Sequence, residues 1–192
     1  MPSLTPRPEP YPPEIAGMLE RYPRGPDGRL LSLFRVFAQS ARFLGGRGPA
    51  NLLDAASPLS LRERELVILR VTARARCSYE WGVHVAAFAQ RAGLTATQIT
   101  ATAQRDASAD CWEPQEILLL RCVDALCDGA DLPAELKAPF QDHWSLAQQL
   151  EITALCGTYQ TIAMVANLAA LAPEPGAPVL PDSGSGFEAV RG

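Results

Sequence analysis

The sequence predicts an all-α fold, and three observations support this. Apolar residues recur at helical spacing through the centre of the chain, and helix N-cap motifs stand before several of these segments. No alternating apolar pattern bounded by Asn-Gly or Asp-Gly turns indicates a strand. With 192 residues, 47% of them hydrophobic, the chain can form a sizeable core without disulfide bonds. We therefore predict a single helical domain.

The distribution of proline predicts where this domain begins and ends. Eight of the 17 prolines lie in residues 1–26 and four in residues 173–192, with only five between. Because proline interrupts helices, the two ends are expected to be extended or disordered. We predict a Pro-rich N-terminal arm over residues 1–25, a helical domain over 26–172, and a flexible Pro/Gly-rich tail over 173–192.

The predicted helices follow one another along the central segment. In order, they are 30–44, 61–76 behind a capping box at Ser60, 79–92 closed by Gly93, a short helix behind Thr95, 113–127, a helix starting at Pro133, and a long helix behind Ser145. Each capping box has Ser or Thr followed three residues later by Glu or Gln, so that two free N–H groups are satisfied at a helix start.

The last predicted helix carries a long uncharged segment. Residues 152–172 contain no charged side chain, and this segment is long enough to span a bilayer. The segment nevertheless includes several polar side chains. Glu151 and Glu174 flank the segment, and no Lys or Arg anchor lies close by. We therefore expect a helix that is buried by a neighbouring subunit in a homo-oligomer, and not a membrane span.

The charge and cysteine content exclude other classes of protein. The chain has 17 basic and 21 acidic residues, a net charge of −4, so it lacks the basic excess of a nucleic-acid-binding protein. Five dispersed cysteines indicate a reducing compartment, and the N-terminus has no apolar segment typical of a signal peptide. A cytoplasmic location is expected.

Glu65 is the first candidate for chemistry. On a helical wheel Glu63, Arg70 and Arg74 share one narrow stripe, which we assign to solvent, and Glu65 lies about 200° from Glu63. Glu65 is therefore expected to be buried, where a carboxylate is costly unless it is paired or protonated. Two interpretations remain open, a proton donor or acceptor and a structural carboxylate paired with an arginine.

A second group of candidates lies on the next predicted helix. Cys77, Glu80 and His84 are spaced i, i+3 and i+7, so they share one stripe, and Trp81 and Phe88 border it as apolar walls. The helix N-terminus is expected to stabilise the thiolate of Cys77. Glu80 can orient His84, which is expected to sample both charge states near pH 7.

This set of side chains is compatible with proton relay, thiol chemistry or metal binding. Thiol, carboxylate and imidazole groups are suitable zinc ligands, but their spacing matches no familiar metal motif, and no Gly-rich phosphate loop is present. We predict neither a metal nor a cofactor. A structural interpretation also remains open, because a buried cysteine is often only a small hydrophobic residue.

Three motifs occur together in this region. They are Leu59-Ser60 with Arg62-Glu63-Arg64-Glu65-Leu66, then Cys77-x-x-Glu80-Trp81-x-x-His84, then Arg91-Ala92-Gly93-Leu94. Together they resemble the carboxymuconolactone decarboxylase family, in the superfamily of alkyl hydroperoxidase D, and the likeness covers about residues 25–172. The resemblance implies a helical domain of the hydroperoxidase D type and a homo-oligomer, commonly a trimer or hexamer, with sites near the subunit contacts.

The resemblance also separates two activities. In the hydroperoxidase branch, a glutamate precedes a Cys-x-x-Cys-x-x-x-His motif by 12 residues, as Glu65 precedes Cys77 here, and His84 matches the histidine. Glu80 stands in place of the second cysteine, so the disulfide that the dithiol cycle needs cannot form within the motif. The pattern is more similar to the decarboxylase side of the family, which implies proton transfer on a small carboxylated lactone or related carbonyl compound.

We therefore expect a decarboxylase-like lyase acting on a small molecule. The expected roles are general acid/base for His84, orienting partner for Glu80, buried relay for Glu65, relay member or nucleophile for Cys77, and substrate-binding wall for Trp81 and Phe88. Two alternatives stay open, a thiol-dependent alkyl hydroperoxidase centred on Cys77 and a non-enzymatic oligomeric module that senses redox state or a ligand.

Overall fold

A computed structural model of the chain describes residues 5–39, 57–104 and 110–181, with the single residues 41, 44 and 53. These parts contain eight α-helices and no β-strand, which confirms the all-α prediction. The helices are α1 (Pro13–Leu19), α2 (Ser32–Phe37), α3 (Leu61–Arg74), α4 (Ser78–His84), α5 (Ala96–Ala101), α6 (Pro114–Gly129), α7 (Ala134–His143) and α8 (Leu146–Leu168), and a π-helical turn, Val85–Ala89, continues α4.

Helix α3 is the centre of the fold. It packs against α4, α6 and α8, and every residue from Arg64 to Ala73 is buried. The predicted solvent stripe on this helix is therefore wrong. Arg70 is buried because α6 supplies Asp124, whose two carboxylate oxygens each accept a 2.6 Å hydrogen bond from the guanidinium. A paired arginine can occupy an interior position that its charge alone would exclude.

The predicted capping boxes are present. Ser60, Thr95 and Ser145 open α3, α5 and α8, and both reciprocal hydrogen bonds form in each box. The segment after α4 ends at Gly93, whose φ of 67° lies in the left-handed region. Pro133 is the N-cap of α7 and not its first residue.

The N-terminal arm differs from the expectation of an extended or disordered segment. Residues 13–19 form α1, which buries Ile15 and Leu19, and Arg7 donates a 2.9 Å hydrogen bond to the carbonyl of Ala38. Helix α2 is shorter than the predicted 30–44 helix, since it ends at Phe37. Hydrogen bonds hold the start of the arm against residues 35–39, and the buried Ile15 and Leu19 anchor α1 on the domain.

The C-terminal segment also differs from the predicted flexible tail. A carboxylate oxygen of Glu174 accepts hydrogen bonds from the Tyr79 hydroxyl at 2.6 Å and from the N–H of Ser32 at 2.7 Å. The N–H of Leu180 donates to the Ser78 hydroxyl at 3.0 Å. Residues 173–181 therefore lie along the start of α4. The tail prediction for residues 182–192 lies outside the described residues.

Helix α8 has two different apolar faces. One is buried in the core and includes Leu155 and Tyr159. The other is exposed, and its large apolar side chains are Leu146, Leu150, Met164 and Leu168. Within the described ranges, no helix is long and apolar enough to cross a membrane.

Candidate active site

A tight turn between α3 and α4 builds the candidate site. Residues 75–77 join the two helices, Arg76 takes a φ of 50°, and the N–H of Cys77 donates to the carbonyl of Thr72 at 2.9 Å. The chain thereby reverses, so that Glu65 on α3 meets His84 on α4. The sequence predicted this convergence of a carboxylate and an imidazole.

His84 contacts two carboxylates, one at each ring nitrogen. Its Nδ1 lies 2.8 Å from Glu65 Oε2, and its Nε2 lies 3.5 Å from Glu80 Oε1. All three side chains are buried. Burial lowers the pKa of His84, but the hydrogen bonds and negative charges of Glu65 and Glu80 outweigh that effect and raise the pKa to about 9. His84 is therefore an imidazolium at neutral pH, and not a group that samples both charge states.

Cys77 is the N-cap residue of α4 and is completely buried. Burial raises the pKa of the Cys77 thiol to about 11, because the N–H groups of Glu80 and Tyr79 lower it only in part and the Glu80 carboxylate raises it further. The expected stabilisation of the thiolate is thus wrong, since desolvation exceeds the effect of the helix N-terminus. Within the described residues, no hydrogen bond joins Cys77 to His84 or Glu65.

The aromatic surroundings of His84 match the expectation in part. The Phe88 ring, which is half-buried, has its centroid 5.2 Å from the imidazole. Trp81 has a different partner, because its indole N–H donates to the Thr102 hydroxyl at 3.0 Å. The ring of Tyr159 from α8 contacts the imidazole of His84 edge-on, and the two ring centroids are 5.1 Å apart. No local sequence pattern marks Tyr159, because this contact joins helices far apart in the chain.

Arg64 completes the polar group. Only 7% of it is exposed, its Nε lies 3.4 Å from Glu65 Oε1, and its guanidinium carbon lies 6.0 Å from the Phe88 ring centre. Arg64, Glu65, His84 and Glu80 thus form a chain of alternating charge. Such a chain can hold one exchangeable proton on the imidazole while the neighbouring charges stay fixed.

Two further features of the described residues bear on ligand binding. No group of three or more His, Cys, Asp or Glu side chains in the described segments is placed to hold a metal ion. An open cavity of about 510 Å³ lies at α5, where its polar lining is Thr97, Thr100, Gln104 and Asp110. None of the six predicted site residues lines this cavity, so we do not assign it to the candidate site.

The candidate site lies in the part of the chain that is similar to known proteins. The model of the carboxymuconolactone decarboxylase family matches residues 47–124, which include Glu65, Cys77, Glu80 and His84. The resemblance noted from the sequence is thereby confirmed for this segment. No curated protein matches the chain.

Proposed function

Since residues 47–124 match the carboxymuconolactone decarboxylase family, we propose that this protein is a lyase of that type. Its substrate is a small carboxylated lactone or related carbonyl compound, and its chemistry is proton transfer. The observation that carries the proposal is His84 held between two buried carboxylates, 2.8 Å from Glu65 and 3.5 Å from Glu80. An imidazolium in that position supplies the acid that decarboxylation needs.

The reaction requires a proton after the carbon–carbon bond breaks. Loss of CO₂ leaves the bonding electron pair on the substrate as a carbanion or enolate, and one carbon of this anion must then be protonated. The two protons of the His84 imidazolium are held unequally, because Nδ1 is 2.8 Å from its carboxylate partner and Nε2 is 3.5 Å from its own. The Nε2 proton is therefore the one transferred to carbon, while Nδ1–H keeps the ring oriented.

The other predicted residues support this step in different ways. Glu65 holds the Nδ1 proton and fixes the tautomer that remains after transfer. Glu80 faces Nε2 and returns a proton to it from solvent before the next turnover. Phe88 forms an apolar wall against the imidazole. Cys77 stays a neutral thiol at the start of α4, because burial raises its pKa to about 11, and we assign it no proton transfer.

Turnover in heavy water tests this proposal. The full chain is incubated with carboxymuconolactone in D₂O, and CO₂ release and the NMR spectrum of the product are followed together. We expect CO₂ release together with the incorporation of one solvent deuterium at a carbon of the lactone ring. Failure of the wild-type chain to release CO₂ from this substrate contradicts the proposed lyase activity.

The thiol peroxidase remains the alternative activity, and the thiol itself weighs against it. With a pKa of about 11, roughly one Cys77 thiol in ten thousand is ionised at pH 7. We expect little turnover of an alkyl hydroperoxide with a dithiol-recycling partner, and Glu80→Cys is the variant that restores a second thiol to the motif. Robust wild-type turnover through an intramolecular disulfide would refute the lyase assignment.

A further inference from the structure

We propose that Arg64 binds the carboxylate group of an anionic ligand beside His84. This inference deepens the proposed function, because it assigns a residue to the charged group of the substrate. It rests on the unpartnered Nε of Arg64, on the position of Arg64 at the edge of the site, and on the charges around it.

Within the described residues, the Nε of Arg64 has no hydrogen-bond partner. Its Nε atom and the nearby Oε1 of Glu65 are both buried without a hydrogen-bond partner, since their 3.4 Å contact has no hydrogen-bonding geometry. A buried polar atom without a partner is unusual and costly. Arg64 therefore has donors that the described part of the fold does not use.

Arg70 shows how the same fold satisfies a buried arginine. Its guanidinium makes two 2.6 Å hydrogen bonds to Asp124 and further bonds to the carbonyls of Thr102 and Gln104. Arg64 lies on the same helix and is almost as buried, but the described residues give it only the 3.4 Å ion pair with Glu65, in which its Nε makes no hydrogen bond. The difference indicates that the partner of Arg64 is supplied from outside the described chain.

The position of Arg64 matches a ligand that also reaches His84. Phe88 links the two groups, because its ring centre lies 6.0 Å from the Arg64 guanidinium carbon and 5.2 Å from the imidazole centroid. The exposed Arg91 places a second guanidinium carbon 6.0 Å from the same ring. Because Phe88 is only half-buried, this aromatic wall extends from the buried imidazole toward solvent.

The charges of these groups favour one carboxylate. With His84 protonated, the site holds three positive groups, Arg64, His84 and Arg91, and two negative groups, Glu65 and Glu80. One monovalent anion would balance this set. The planar guanidinium fork matches a carboxylate in two parallel hydrogen bonds, which a lysine ammonium cannot reproduce.

A pair of ligands that differ only in charge tests this inference. The probes are 5-oxotetrahydrofuran-2-carboxylate and its methyl ester, and their binding to the full chain is measured by isothermal titration calorimetry. We expect the wild type to bind the acid at least tenfold more tightly than the ester. Arg64→Met should lose this preference, and Arg64→Lys should weaken acid binding several-fold because it keeps the charge and loses the fork.

Matched controls separate this inference from a loss of fold. Arg121→Met removes an exposed arginine on α6 and should leave the acid preference unchanged. Equal binding of acid and ester by the wild type, or an acid preference that survives in both Arg64 variants, overturns the inference. If Arg64→Met does not fold, Arg64→Lys becomes the deciding variant. Undiminished binding of the acid by Arg64→Lys then overturns the inference.

The binding readout also distinguishes this inference from the proposed function. If the wild type shows an Arg64-dependent preference for the acid but releases no CO₂ from carboxymuconolactone, the anion site stands and the lyase assignment fails. If CO₂ is released and both Arg64 variants keep the wild-type KM, the lyase assignment stands and the anion site fails.

Discussion

The two carboxylates beside His84 make unequal contacts with it. Glu65 is fully buried and lies 2.8 Å from Nδ1, whereas Glu80 lies 3.5 Å from Nε2. The shorter contact carries the stronger charge-assisted hydrogen bond. Glu65 is therefore the main reason why the imidazolium persists in a buried place.

An NMR titration of the two histidines checks this difference. We expect His84 to titrate near 9 in the wild type. Glu65→Gln should lower the pKa of His84 more than Glu80→Gln does, because it removes the closer charge. A wild-type pKa at or below the ordinary value of 6.5, or a larger effect of Glu80→Gln, contradicts this account.

The raised pKa of His84 predicts the direction in which the free energy of unfolding changes with pH. The folded-state pKa of His84 is raised from 6.5 to about 9, so its contribution is fully present below 6.5 and is lost as pH rises through 9. The shift corresponds to about 3 kcal/mol of unfolding free energy. Denaturant unfolding between pH 6 and 10 measures it, and His84→Asn should remove this slope while His143→Asn keeps it.

Residues on α3 show what sequence reasoning could establish about the site. Burial of Glu65 agrees with the helical-wheel prediction, but it does not depend on a separate solvent face, because α3 is buried on all sides from Arg64 to Ala73. Burial of Arg70 could not be predicted, because it depends on Asp124 of α6. Likewise, the partner of Trp81 is Thr102, beyond α5, and nothing near Trp81 in sequence indicates it.

At the scale of helices, local sequence signals predicted the structure reliably, whereas contacts between distant segments could not be predicted. The capping boxes at Ser60, Thr95 and Ser145 were predicted because each depends on residues three positions apart. The short α1 and the docked C-terminal segment were not predicted, because proline-rich composition indicates only that helices are interrupted. Their contacts, such as Glu174 with Tyr79, join distant parts of the chain.

The docked C-terminal segment gives a prediction for Gly82. A Cβ atom at this position would lie 2.2 Å from the carbonyl oxygen of Pro178, closer than any van der Waals contact allows. We expect Gly82→Ala to displace residues 173–181 from α4 and to destabilise the protein by about 1–3 kcal/mol. Limited proteolysis and thermal melting measure the two effects.

Gly17 provides the matched control for that substitution. It lies in α1 with nothing within 4 Å of an added Cβ, so Gly17→Ala should be neutral or slightly stabilising. If Gly82→Ala melts like the wild type and its C-terminal segment is cleaved no faster, the segment does not pack on α4 as described.

For the whole molecule, the exposed face of α8 supports the homo-oligomer predicted from the sequence. Four large apolar side chains on this helix are at least 62% exposed, namely Leu146, Leu150, Met164 and Leu168. They form two pairs, one near each end of α8, and large exposed apolar side chains grouped in this way are typical of a subunit interface. We propose that a second copy of the chain covers it.

Light scattering with substitutions on that face tests the proposal. The wild type should have a mass that is a multiple of 20.7 kDa at micromolar concentration, and Met164→Glu with Leu168→Glu should reduce it to the single-chain value. Val179→Glu is the control, because it places a glutamate at an exposed apolar residue outside α8. Ala166 is unsuitable for this test because it faces the core. A wild-type mass of 20.7 kDa at all concentrations contradicts the proposal.

The most direct test of the whole account is the turnover of carboxymuconolactone by His84→Asn, measured together with its melting temperature. Asparagine can keep a donor toward Glu65 near the position of Nδ1, but it removes the acid at Nε2. We predict that turnover per folded site falls roughly a hundredfold to ten-thousandfold, the usual contribution of a positioned general acid. Unchanged turnover per folded site, at whatever melting temperature, would remove His84 from the mechanism and contradict the account.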